Sequence, residues 1–65
     1  MQYSIVIQYD VHDKIYVASA PELKGCMAHG YTREEAIREI QDAIQLQLEV
    51  MQEKGMLVPE PMLVN

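Results

Sequence analysis

Tyr31-Thr32-Arg33-Glu34-Glu35-Ala36-Ile37, at the middle of the chain, decides how the rest is read. A threonine followed three residues later by a glutamate is a capping box. The Thr32 hydroxyl accepts from the Glu35 amide and the Glu35 carboxylate reaches back to the Thr32 amide, which satisfies two of the orphan donors at a helix start. From Arg33 to about Lys54 no Gly or Pro intervenes. Gly55 stands where a left-handed cap residue belongs, and Lys54 places positive charge at the negative end of the helix dipole. Start and stop signals agree on one long helix. At about 100° per residue, Ala36, Ile37, Ile40, Ala43, Ile44, Leu48, Val50 and Met51 cover a wide sector, with Leu46 extending one flank and Arg38, Gln41, Asp42, Gln45, Gln47 and Gln52 opposite. A stripe about 100° wide is enough to dock a helix on a sheet. The apolar excess at Leu46 and Val50 points either to a second buried contact or to a helix sunk deeply into its sheet.

Upstream of the helix the period changes to two. Tyr3, Ile5, Ile7 and Tyr9 fall on one face and Ser4, Val6 and Gln8 on the other, the alternation of a strand. Ile15-Tyr16-Val17 resumes the same composition after Val11-His12-Asp13, so the two segments read as a hairpin turning between Asp10 and Lys14, without a glycine to fix the turn type. Pro21 ends the second strand by removing a backbone donor, Pro21-Glu22-Leu23-Lys24-Gly25 forms a loop, and Cys26 to Tyr31 form a third strand. Beyond the helix, Met56 to Pro61 read as a stiff connector, since each proline holds the residue before it extended, and Met62-Leu63-Val64-Asn65 as a short final strand. The fold expected is α+β: an antiparallel sheet of three or four strands with one long helix packed on one face, as a single domain over 1–65.

Length and charge narrow the function. A 65-residue domain buries only about 60% of the surface its unfolded chain exposes, so self-association is expected to support it. One cysteine allows no internal disulfide and completes no zinc site, consistent with a reducing compartment. The amino terminus lacks the pattern of a signal peptide, and no apolar run approaches the roughly 18 residues of a membrane span, so a cytoplasmic protein is expected. Ten acidic residues against five basic ones, a net charge of −5, oppose binding to a phosphate backbone and favour a basic partner.

No constellation of residues carries catalysis. Asp10, His12 and Asp13 are the densest cluster of potential ligands, yet such residues are ordinary in hairpin turns. Cys26 and His29 have half of a zinc-site spacing, but the other half is missing and residues three apart on a strand project to opposite faces. Metal-dependent nucleases gather carboxylates around their ions, often from a central strand, and Ser4 to Gln8 contain none. Glu34, Glu35, Glu39 and Asp42 are accounted for as capping groups and helix-surface charges within reach of Arg38 or the helix start. Of the five methionines, Met27 and Met51 read as core filler, whereas Met56 and Met62 flank the prolines. Neither a cofactor nor a metal is expected.

Taken in order, Tyr16-Val17-Ala18, Pro21-Glu22-Leu23-Lys24-Gly25-Cys26, His29-Gly30-Tyr31-Thr32-Arg33-Glu34-Glu35-Ala36, Gly55 and Pro59-Glu60-Pro61 resemble the HicB family of type II antitoxins over nearly the whole chain. The resemblance implies a partial RNase H-like fold of order β-β-β-α-β without nuclease activity. It also implies a function: members bind a HicA toxin, a small basic ribonuclease that uses a histidine, and cover its active surface. An acidic protein suits that partner, because complementary potentials speed encounter and select against other partners. Many such antitoxins continue into a DNA-binding domain; this chain ends at Asn65, so direct nucleic-acid binding is not expected. For the toxin contact the sequence offers Asp10, Asp13, Glu22 and Glu34 as rim charges with Tyr16 and Leu23 as apolar anchors. For a homo-oligomer, a dimer or tetramer, it offers the Leu46 and Val50 flank with Met62 and Leu63 in the tail. The competing reading is a homo-oligomeric structural or regulatory adaptor without a toxin.

Overall fold

The computed structural model describes residues 3–56. Within them lie three strands, β1 (Val6–Asp10), β2 (Ile15–Ser19) and β3 (Met27–Gly30), followed by one helix, α1 (Arg33–Glu53). The sheet is antiparallel, in the order β1-β2-β3. The α+β arrangement and the order of these elements are those expected; the expected final strand at Met62–Asn65 lies outside the described residues.

The strands are shorter than the alternation alone implies, for a local reason. Val6 pairs with Ser19, so the next partners toward the amino terminus would be Ala20 and Pro21. Proline has no amide to give to a ladder. The Ser4 amide instead donates to both carboxylate oxygens of Glu22, at 3.1 and 3.0 Å, and the ladder ends at Val6. In the hairpin, Asp10 Oδ1 accepts from the amides of His12 (2.9 Å) and Asp13 (3.2 Å), and the Asp10 carbonyl accepts from Lys14 at 2.7 Å. Closing that four-residue connection forces Lys14 into the left-handed region at φ 56°.

The start of α1 differs from the expected capping box in one bond. Thr32 Oγ1 accepts from the Glu35 amide at 3.0 Å as anticipated, but the Glu35 carboxylate accepts from the Tyr31 amide, at 3.4 Å, rather than from Thr32. At the other end, Gly55 at φ 67° donates to Gln52 and Met56 donates to Met51, the paired bonds of a Schellman cap. Gly30 is required by packing: a Cβ there would lie 2.6 Å from Glu35 Cβ and 2.7 Å from the Ala36 nitrogen. That contact seats the first turn of α1 on the end of β3.

Pairing Ile7 with Ala18 and Ala18 with Ala28 puts these residues on the helix side of the sheet. The buried core is Ala18, Ala20, Leu23, Cys26, Ala36 and Ile40, with Tyr3, Ile5, Ile7, Tyr16, Ala28, Ala43, Ile44, Leu48 and Met51 packed around it. Leu23 and Ile40 are its largest fully buried side chains among the described residues. The helix does not sink further: Leu46 is 63% exposed and Val50 37%. Met27, expected as core filler, is 62% exposed, because its register opposite Ser19 turns it to the sheet face away from α1.

Candidate functional site

The residues proposed for a partner contact separate into two groups. Asp10, Asp13, Tyr16 and Glu34 belong to one end of the molecule, where the β1–β2 turn, the end of β3 and the start of α1 meet. Tyr9 and Tyr16 are cross-strand neighbours with ring centroids 5.0 Å apart at 59°, and the Arg33 guanidinium carbon lies 5.7 Å from the Tyr16 centroid, a cation–π contact. Tyr9 and Tyr31 are both largely exposed there. Tyrosine and arginine are the side chains that most often anchor protein interfaces. Of the acids at this end, Asp10 is held through Oδ1 in the turn, while the carboxylates of Asp13 and Glu34 are exposed and take part in no hydrogen bond or ion pair among the described residues.

Glu22 and Leu23 lie at the opposite end, in the β2–β3 loop, and the fold uses both. Leu23 is 1% exposed, so it anchors the core rather than a partner. Glu22 ties that loop to the start of β1 through the Ser4 amide. A five-residue loop bounded by Pro and Gly reads as surface in sequence, and only the chain folding back over it reveals the burial.

The thiol and the imidazole are not brought together as a reactive pair. Cys26 is buried in the core whereas His29 is exposed on β3, and burial pushes the Cys26 thiol up from its ordinary pKa. Among the described residues no group of three or more His, Cys, Asp or Glu side chains is placed to hold a metal ion. No helix among them is long and apolar enough to cross a membrane.

A second surface was not singled out by the sequence. Met27, Ala28 and His29 of β3 and Glu39, Asp42, Ala43 and Leu46 of α1 line a groove of about 420 Å³ along the outer edge of β3. Glu39 and Asp42 are exposed and form no hydrogen bond or ion pair among the described residues, so neither is paired with Arg38 as their spacing implied. The signal available in sequence was the helical spacing of acids relative to Leu46. It becomes meaningful only once β3 is placed at the edge of the described sheet.

The exposed surfaces of the described residues carry tyrosines, carboxylates without a partner among those residues and scattered apolar side chains around a small core. The family model for the HicB-like antitoxin of bacterial toxin–antitoxin systems matches residues 3–65. A UPF0150 protein of Thermoplasma acidophilum is similar to this chain, with 34% identity over 59 residues that cover 91% of this chain and 84% of the relative. No solved structure gives a significant match. With a match across almost its full length, the chain belongs to the HicB-like antitoxin family of bacterial toxin–antitoxin systems.

Proposed function

We propose that this protein is a non-enzymatic antitoxin that binds and neutralises a basic, HicA-type, mRNA-cleaving toxin in the cytoplasm. Family membership supports the antitoxin role, and the net charge of −5 supports a basic partner. The observation that carries the contact is the exposed cluster of Tyr9, Tyr31, Asp13 and Glu34 around Tyr16 and Arg33, which combines aromatic anchors with uncommitted acids. Asp10 serves there mainly as the residue that shapes the turn presenting Asp13.

The small core supports a homo-oligomer as well, because only Leu23 and Ile40 bury large side chains completely among the described residues. Val6, exposed on the sheet face away from α1, and Val50 on the helix flank are the surfaces for a second copy. Met62 and Leu63, offered for the same role, lie outside the described residues. A stand-alone adaptor accounts for a homo-oligomer equally well; family membership favours the antitoxin reading.

Co-expression tests the proposal. Cells producing a HicA-type toxin from the same genome are expected to stop growing alone and to grow when this chain is produced with it, and the two proteins are expected to co-purify. Absence of both rescue and co-purification contradicts the antitoxin reading.

A further inference from the structure

We infer that the outer edge of β3, together with the acidic stripe of α1 beside it, accepts an extended basic segment of the partner as an added strand. The inference rests on the antitoxin reading for its partner but concerns a surface distinct from the tyrosine cluster. Two observations converge on it.

The first is the backbone. β3 is an edge strand of the described sheet. The Ala20 amide donates to the Cys26 carbonyl, so Ala20 and Cys26 form a hydrogen-bonded pair. With Ala18 opposite Ala28 and Tyr16 opposite Gly30, the alternation of an antiparallel ladder makes these the bonded pairs too. The amides and carbonyls of Met27 and His29 consequently point away from β2, toward the groove. An edge strand with outward donors and acceptors is the template used in recognition by strand addition.

The second is charge. At about 100° per residue, Glu35, Glu39, Asp42, Leu46, Glu49 and Glu53 fall within a sector of about 80° on α1. Five of the chain's ten acids thus lie in one row, and the groove residues Glu39, Asp42 and Leu46 place that row beside β3. Arg38 stands at its margin. Leu46 and Met27 supply exposed apolar surface within the row and on the strand.

The same charges choose the occupant. A second copy added edge to edge about a two-fold axis would bring this acid row against its own image, and like charges so placed repel. A strand carrying Lys or Arg toward α1 would meet Glu39 and Asp42 while its backbone pairs with Met27 and His29. Leu46, offered above for self-association, lines this groove and is assigned here to the added strand.

Amide hydrogen exchange on the full chain, alone and mixed with the HicA-type toxin that the growth test identifies, reads the edge directly. Ala28 and Gly30 are protected by β2 in both states; Met27 and His29 are expected to exchange fast in the free chain and to become protected in the complex. In titration calorimetry, Glu39→Lys combined with Asp42→Lys is expected to weaken binding on the order of 100-fold. His29→Pro, which removes an outward amide without touching the β2 ladder, is expected to weaken it about 10-fold relative to His29→Ala.

A complex in which Met27 and His29 still exchange fast overturns the inference while leaving the antitoxin reading intact. So does binding unchanged by the double charge reversal. Protection already present in the dilute free chain would mean that the chain's own tail covers the edge, and protection rising with chain concentration alone would mean a second copy does; either overturns it. Failure of the wild-type chain to bind at all contradicts the antitoxin reading itself.

Discussion

Lys14 holds a left-handed backbone, at φ 56°, with no side-chain feature that favours it. For an L-residue other than Gly or Asn that conformation costs roughly 1–2 kcal/mol. Lys14→Gly is therefore expected to stabilise the protein by about 0.5–1 kcal/mol after the extra freedom of glycine in the unfolded chain is subtracted, a rise in Tm of several degrees by calorimetry. An unchanged or lowered Tm would contradict the strain. Gly30 is the opposite case. With β3 and the first turn of α1 in contact, Gly30→Ala forces a shift of backbone against backbone, and a loss of about 2 kcal/mol or more is expected in urea unfolding. Cys26 adds a pH-linked expectation. Because burial raises its pKa, the folded thiol stays protonated where the unfolded one ionises; the contribution to stability is full below the unfolded pKa and is lost as pH rises through the folded one. A disulfide-exchange reagent at pH 8 is expected to modify Cys26 slowly in buffer and quickly in urea, whereas equal rates would place the thiol at the surface. The strain at Lys14 was invisible in sequence because nothing in Asp10-Val11-His12-Asp13-Lys14 names its turn type, while the exchange of Glu22 for Pro21 as partner of Ser4 joins residues 18 positions apart.

At the scale of elements, α1 was the most legible because its signals are local. Thr32, Glu35, Lys54 and Gly55 act within a turn of themselves, and the observed helix, Arg33–Glu53, lies within one residue of the expected span. Thr32→Ala is expected to cost about 1 kcal/mol, read as a lower urea midpoint with an unchanged slope. Glu35→Ala is expected to cost less, since its bond to the Tyr31 amide is long at 3.4 Å and exposed. The strands were legible in order and phase but less so in extent, because a ladder ends where its partner ends, and Pro21 shortens both β1 and β2. Which loop residues face solvent was the least legible property. Leu23 in the β2–β3 loop is buried and Met27 on β3 is exposed, and both outcomes depend on which side α1 covers.

Across the whole molecule, the acid excess gains a location. Part of it lies at the β1–β2 turn and the start of α1, beside exposed tyrosines; half lies in a row on α1 next to the outer edge of β3, which no other strand among the described residues pairs. The sign of the charge proposed for the partner rests on composition alone, ten acids against five bases. The sequence did not carry the groove, which exists only when β3 is the edge of the described sheet and α1 runs beside it. The charge distribution also predicts that affinity for the partner falls steeply as salt rises, since most of these acids are exposed and screened within about 10 Å at 0.1 M. The proposed antitoxin activity is tested most directly by cleavage of an mRNA transcript by a purified HicA-type toxin, the partner proposed above, titrated with this chain. The expected result is cleavage that falls linearly to zero at a fixed stoichiometric ratio; cleavage undiminished by excess chain would contradict it.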